Sequence, residues 1–457
     1  MDLLFVRPYY GVNINSDMAG DLGIVDYTNQ ITPDLSILYS ASLAKSKGAN
    51  VTVIDGNAER LLPKRIIERI SGVGKSWIIL KGTAPTIQLD LEFARILKEL
   101  FPGSKIILAG HIVKILRPWI LEHAKYVDDP IEIAMEDYVY RLVFGKEHDV
   151  QIDEFPAPDY GLMPLHLYQD AGKTNSAYMW TSRGCKLSCV YCPYIAYYSR
   201  SMEERDLDKV MDDIQAVLEQ GVDYIQFRDP YFTANKQRVI DFCNKILERG
   251  YQFKWYCETR IDSLNKELLD LMKASGNVMI GFGVESASID TLKKYKRPTY
   301  NLEKAKSMIS YMTEQGIESL GFFMIGFPGE TFLSMKDTYQ LARYLSLTYA
   351  QFNVWTPYPD TPNWAEIENP PSITPELFIQ FENRVTVNPV KNLTREVLDF
   401  TAKQFGFMYN EAQHGLEYAY RAFRHQNIRE ERGRRHADIL FKQGITELQE
   451  LSTQLVM

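Results

Sequence analysis

The sequence predicts an α/β protein built from two parallel-sheet units in tandem, followed by a helical region. Two observations carry this reading. Short apolar, β-branched runs alternate with amphipathic helices up to residue 145, and the alternation resumes at Tyr178 at about 30 residues per strand–helix unit. In the second stretch the helices end on Gly221, Gly250, Gly276 and Gly316, glycine being the usual left-handed residue just past a helix.

Taken in order, Leu3–Val6 is an apolar strand, and Leu35–Ser46 has helical periodicity and stops at Gly48. Val51–Asp55 and Ser76–Leu80 are strands, Leu89–Phe101 is a helix halted by Pro102-Gly103, and Ile106–His111 is a strand with a small-residue exit. Such alternation builds a doubly wound sheet whose ligands sit beyond the carboxyl ends of its strands. That places the segments beginning at Asp55, Lys81 and Ala109 on the binding side. Pro156, Pro158, Gly161 and Pro164 then break the periodicity and mark a linker. The later strands, Tyr178–Ser182, Tyr224–Phe227, Phe253–Tyr256, Val278–Phe282 and Leu320–Ile325, read as a closed or partly closed β/α barrel with its chemistry at the C-terminal strand ends. The domain boundaries expected are 1–150, a linker over 151–175, a barrel over 176–370 and a helical C-terminal domain over 371–457. The last is expected to close the barrel mouth, with dimerisation as the competing role. Its Arg-rich stretch Arg421–His436 is interrupted by Glu430 and Glu431, which favours a solvated helix face over a nucleic-acid patch.

Composition narrows the function. The 457 residues carry a formal charge of −8, with 45% hydrophobic and 24% charged residues, so the chain is an ordinary globular protein and a poor non-specific binder of nucleic acid or anionic membrane. No apolar run approaches the roughly 18 residues needed to span a bilayer. Asp2 stands where a secretion signal wants bases, so a cytoplasmic location is expected. Five cysteines make no disulfide framework, and three of them fall in Cys185-Lys-Leu-Ser-Cys189-Val-Tyr-Cys192. Structural zinc needs four ligands, and no fourth stands nearby at a suitable spacing. An iron–sulfur cluster suits three thiolates better, and a four-iron cubane held by three of them keeps one iron open.

This C-x3-C-x2-C loop, with the aromatic Tyr191 before its third cysteine, resembles the signature of radical S-adenosylmethionine (SAM) enzymes over about Tyr178–Trp364. The resemblance implies a partial (β/α)6, TIM-like barrel and a [4Fe-4S] cluster on Cys185, Cys189 and Cys192. It implies that the open iron chelates SAM, whose reductive cleavage gives a 5′-deoxyadenosyl radical. It further implies SAM contacts from Glu285 and Ser286 at one strand end, Arg260 at the preceding one, Ile325-Gly326-Phe327 beside the adenine, and Tyr191. Phe227-Arg228-Asp229-Pro230 replaces the family's Gly-Gly-Glu.

The N-terminal unit resembles the Rossmann-like cobalamin (B12)-binding domain of the cobalamin-dependent radical SAM class. Carried over position by position, the cobalamin contacts would be Asp55, Asn57, Thr83, Pro85, Ala109, Gly110 and His111, with Asn57 where the family places its cobalt-ligating His. The implied activity is methylation of an unactivated carbon of a small-molecule or natural-product substrate, with an external electron donor such as flavodoxin or ferredoxin. No nucleic acid or membrane is involved. A non-methylating rearrangement or cyclisation is the alternative, and a cluster-containing binding or sensor module is the reading from another class. Methylthiotransferases and enzymes with auxiliary clusters are set aside, since no cysteine precedes Cys185 or follows Cys257. Tyr194, Tyr197, Tyr198, Trp355 and Tyr358 either line the substrate space or pack between domains, packing being favoured.

Overall fold

The computed structural model describes residues 1–26, 31–73, 77–168, 176–198, 201–367, 369–378, 394–415 and 441–455. The Arg421–His436 stretch and the end of the linker lie outside the described residues.

Five parallel strands form the N-terminal sheet: β1 (Asp2–Arg7), β2 (Asn50–Asp55), β3 (Trp77–Lys81), β4 (Lys105–Ala109) and β5 (Asp129–Pro130). Their order is β2-β1-β3-β4-β5, which puts the topological switch point between β1 and β3. Both faces are covered, which explains the continuous apolar runs. Leu3, Phe5, Ile79 and Ile107 face one core, and Leu4, Val6, Ile78, Leu80, Ile106 and Leu108 face another. The helix Leu35–Ser46, N-capped by Asp34 accepting from Ile37 N at 3.0 Å, is buried all round over Leu35–Ala44. It is sandwiched between this sheet and the barrel, with Tyr39 stacked on Trp180 at 4.9 Å.

The barrel is a six-stranded parallel sheet: β6 (Ser176–Met179), β7 (Tyr224–Phe227), β8 (Lys254–Thr259), β9 (Asn277–Glu285), β10 (Glu318–Ile325) and β11 (Tyr349–Val354), ordered as in the sequence. The two outer strands do not pair with each other, so it is a partial (β/α)6 barrel. Gly221, Gly250, Gly276 and Gly316 all adopt positive φ, as their place after helices predicts.

The structure adds detail to three expectations. The Pro-rich stretch is no loose tether: Tyr160 donates to Tyr178 O at 2.7 Å and accepts from Tyr178 N at 2.9 Å, while Arg205 donates to Ile152 O and Phe155 O. Those aromatics join one core that runs through both sheets. Of the region after residue 370, the described segments pack against both sheets. The helix Arg395–His414 packs beside β11, with Tyr409 donating to Leu347 O at 2.6 Å. Leu377, Phe378 and Leu448 pack instead in the outer core of the N-terminal sheet, and Lys64 pairs with Glu450 at 2.5 Å. Tyr194, Tyr197 and Tyr198 do pack between the domains, next to Ala134.

Candidate functional site

The cluster loop leaves β6 through Ser182–Arg183 and ends at the short helix Pro193–Tyr198. It is fixed from both sides. Arg183 donates to both oxygens of Asp137 in the N-terminal unit, at 2.9 and 3.1 Å. Val190 N donates to Tyr295 O at 3.2 Å. Cys185 and Cys189 are buried and Cys192 is half-buried. Burial pushes the Cys192 thiol up to about 11, against backbone N–H donors of Ile195 and Tyr194 that favour its thiolate. A bound metal reverses that penalty, because a coordinating thiol is deprotonated outright. Among the described residues no three His, Cys, Asp or Glu converge on a single ion position. Three soft sulfur donors on one loop with no fourth ligand therefore suit a multi-iron cluster, whose thiolates sit at separate corners.

Beside this loop β9 ends on Gly283-Val284-Glu285. Glu285 sits in the left-handed region at φ 71° and is buried. Its partner is Arg297, a residue the sequence reading missed. Arg297 Nη2 lies 3.3 Å from Glu285 Oε1 and donates to Gly283 O at 2.8 Å, while Nη1 lies 3.7 Å from Cys189 Sγ. A Cβ on residue 283 would fall inside 3.0 Å of both Glu285 Oε1 and Arg297 Nη2, so the bare backbone is what admits the pair. Burial raises the Glu285 carboxyl, and Arg297, Tyr191 and Arg260 pull it back. The structure thus brings together the cysteines, Tyr191, Glu285 and Arg260. Tyr191 also meets Phe327 at 6.5 Å between ring centres, in an aromatic group with Tyr295 and Trp355. The turn Ile325-Gly326-Phe327 is held by Glu330 Oε2, which accepts from Gly326 N at 2.6 Å and Phe327 N at 2.9 Å. Arg260 is also occupied by Asp262 at 2.6 Å, and Ser286 Oγ accepts from Ser288 N at 3.1 Å, a turn contact.

At the place of the family's Gly-Gly-Glu, Asp229 is buried and accepts from Thr181 N at 2.7 Å, so it serves the fold. Arg228 lies 4.0 Å from Glu258, which accepts from Tyr256 Oη at 3.1 Å.

The residues expected to touch cobalamin gather at the C-terminal ends of the N-terminal sheet, where a segment after β1 covers them. Asn57 Oδ1 accepts from Ile14 N at 2.9 Å and Nδ2 donates to Ile14 O at 3.2 Å. Asp55 pairs with Arg7 at 3.2 Å and accepts from Tyr168 Oη at 2.8 Å. His111 is buried, with Nδ1 2.8 Å from Gly20 O and Nε2 3.2 Å from Asp360. All three are engaged in hydrogen bonds within the protein. The hairpin strands Asn13–Asn15 and Ile24–Asp26, which engage Asn57, are not signalled by local periodicity. Thr83 bonds Thr86 Oγ1 at 2.7 Å, Pro85 is half-buried, and Ala109 leads into Gly110, where a Cβ would fall inside 3.0 Å of Gly82 O. Lys81 is buried among Asp21 and Asp34, pairing with both. Facing the barrel, Asp17 Oδ1 and both Glu136 oxygens are buried without a hydrogen-bond partner, Glu136 Oε1 having only the longer ion-pair approach of Arg183 Nη1 at 3.7 Å. A guest rich in amide N–H groups supplies donors of the kind these oxygens lack, so this interface fits a corrinoid while Asn57 offers cobalt no ligand.

Comparison with known proteins agrees with this geometry. Residues 180–342 match the Radical SAM superfamily. An uncharacterized methyltransferase of Pyrococcus horikoshii is 26% identical over 83% of this chain and 86% of its own length. An anaerobic magnesium-protoporphyrin IX monomethyl ester cyclase of Cereibacter sphaeroides is 24% identical over 81% of this chain, which spans 64% of that relative. Among solved structures, the radical SAM methyltransferase TsrM from Kitasatospora setae, with cobalamin and a [4Fe-4S] cluster bound, shares the fold at a TM-score of 0.58, 15% identity, 80% of this chain and 77% of its own. The cobalamin-dependent enzyme OxsB, with aqua-cobalamin and SAM bound, does so at 0.60, 18% identity, 83% of this chain and 55% of its own. Among the described residues no helix is long and apolar enough to cross a membrane.

Proposed function

We propose, from the premise that this chain belongs to the radical SAM superfamily, that it methylates an unactivated carbon of a small molecule and that cobalamin serves as methyl carrier. The observation that carries this reading is the three-thiol loop with the Glu285–Arg297 pair against it, at the mouth of a partial barrel packed under a doubly wound domain. When bound, the cluster supplies the low-potential electron that splits a sulfonium, and the corrin supplies a carrier for the methyl group. Cys185, Cys189 and Cys192 hold the cluster. Glu285, Arg297 and Arg260 offer charge of both signs to the amino-acid end of SAM, and Tyr191 and the Gly326 turn flank its base. Asp17 and Glu136 line the corrin side of the interface. The buried aromatic group of Tyr295, Phe327 and Trp355, with the half-buried Tyr191 against it, keeps water from this side of the site, which a reactive radical requires.

A second reading is a non-methylating cyclisation, favoured by likeness to the cyclase. A sensor module is disfavoured because the groups beside the cluster are assembled for chemistry on SAM. Anoxic reconstitution with cobalamin and methyl-labelled SAM tests these readings. Methylation yields both 5′-deoxyadenosine and S-adenosylhomocysteine. Deoxyadenosine without S-adenosylhomocysteine would favour the second reading, and neither product would leave the sensor.

A further inference from the structure

Radical SAM chemistry consumes an electron that must reach the cluster from outside the chain, and the surface over the cluster is charged against the trend of the protein. Lys186 and Ser188 are exposed between the buried Cys185 and Cys189, so the sulfurs lie directly beneath the loop surface. That loop is bonded to the segment Leu292–Pro298 through Val190 N and Tyr295 O, and Arg297 reaches from this segment to 3.7 Å of Cys189 Sγ. Leu292–Pro298 reads Leu-Lys-Lys-Tyr-Lys-Arg-Pro, with Lys293, Lys294 and Lys296 exposed. In a chain of formal charge −8, this puts four lysines around one short loop. Two acids temper the patch. Asp290 lies one turn earlier, and Glu366 pairs with Lys294 at 2.7 Å. Lys186, Lys293 and Lys296 make no ion pair or side-chain hydrogen bond among the described residues.

We propose that this surface docks an acidic one-electron carrier protein, a flavoprotein or iron–sulfur protein of low potential. The proposal rests on the superfamily reading and names the partner of the same site. A redox encounter uses a small interface and gains its rate from complementary charge, which unpaired lysines at the rim of a shallowly buried centre provide. The step balances simply. The reduced carrier gives one electron and is oxidised, the cluster takes it and is reduced, and no bond or proton is exchanged.

The test uses the full-length reconstituted protein and the charge reversal Lys293→Glu with Lys296→Glu. Stopped-flow bleaching of the cluster is followed with a pre-reduced acidic ferredoxin or flavodoxin, and separately with a photoreduced neutral deazaflavin. The expected result is a second-order rate constant with the carrier lowered at least about tenfold, a wild-type rate that falls as salt rises, and an unchanged deazaflavin end point. An unchanged carrier rate in the reversed variant, or a wild-type rate insensitive to salt, overturns the proposal. Should the reversed variant fold poorly, Lys293→Gln with Lys296→Gln and the wild-type salt dependence decide it. Competition by anionic vesicles in place of the carrier would assign the patch to a lipid surface and refute the carrier. If the deazaflavin itself reduces no cluster, the failure belongs to the superfamily reading.

Discussion

Gly283→Ala is the sharpest probe of the proposed SAM-binding end of the site. Gly283 is not a left-handed glycine, so alanine's backbone preferences are satisfied and only sterics change. The added Cβ would fall inside 3.0 Å of Glu285 Oε1 and of Arg297 Nη2. One of the two must move, and with it goes the 2.8 Å bond from Arg297 to Gly283 O or the 3.3 Å approach of Arg297 to Glu285. A charged hydrogen bond contributes about 1.5–3 kcal/mol, so SAM affinity should fall roughly 10- to 150-fold if the pair holds the amino-acid end of SAM. The assay is anoxic equilibrium binding of SAM to reconstituted protein, with iron content and visible absorbance confirming that the cluster is retained. Unchanged SAM affinity with an intact cluster would refute the assignment of Glu285 and Arg297.

Three further outcomes are expected. Replacing Cys185, Cys189 and Cys192 together by alanine should abolish the visible charge-transfer absorbance and deoxyadenosine formation while leaving the circular dichroism of the fold intact. Glu330, pushed up to about 7 by burial, binds its proton more tightly folded than at its ordinary 4.5. Its contribution is therefore fully present below pH 4.5 and is lost as pH rises toward 7, by about 3 kcal/mol at most. Denaturant titrations of Glu330→Gln against wild type across that window should show the variant without this slope. Asn57→Ala should cost about 1–3 kcal/mol in the same measurement, because Ile14 N is left buried without its acceptor, and should leave the absorption spectrum of bound cobalamin unshifted. A shifted spectrum would return Asn57 to the cobalt.

Much of this was legible in the sequence because the signals were local. Parallel strands covered on both faces leave unbroken apolar runs such as Ile106–Ala109, and three cysteines within one loop need no tertiary information to be read as a ligand set. The strand β11 was missed for the complementary reason. It is an edge strand whose exposed Gln351 and Asn353 interrupt the apolar pattern, leaving Phe352 as its one fully buried position. Asn57 was read by its position after a strand, yet its partner Ile14 arrives from a hairpin that folds back over the sheet. Arg297 stood in a run of basic residues, where a solvated face is the ordinary reading. Its role appears only when the segment after the helix Ile289–Lys294, which follows β9, carries it against Cys189.

The interface between the two sheets follows the same logic at larger scale. Arg183, two residues before Cys185, is bonded to Asp137 of the N-terminal unit, and Lys81, Asp21 and Asp34 form a buried ion group at the neighbouring strand ends. Breaking such a pair by removing one member costs roughly 3–5 kcal/mol, more than surface pairs contribute. The Arg183–Asp137 pair, held at that cost between two domains, fixes their relative placement more firmly than an apolar seam, which tolerates sliding. Substrate carbon, methyl donor and SAM must meet within a few ångströms for the proposed transfer, so a rigid interface is what the chemistry needs from these residues. Asp137→Asn should therefore loosen the cluster loop as well as the domain contact. Faster hydrogen exchange over 183–192 together with 135–144 is the result expected. Faster exchange in the helix alone would mean that the two domains are positioned independently of Arg183.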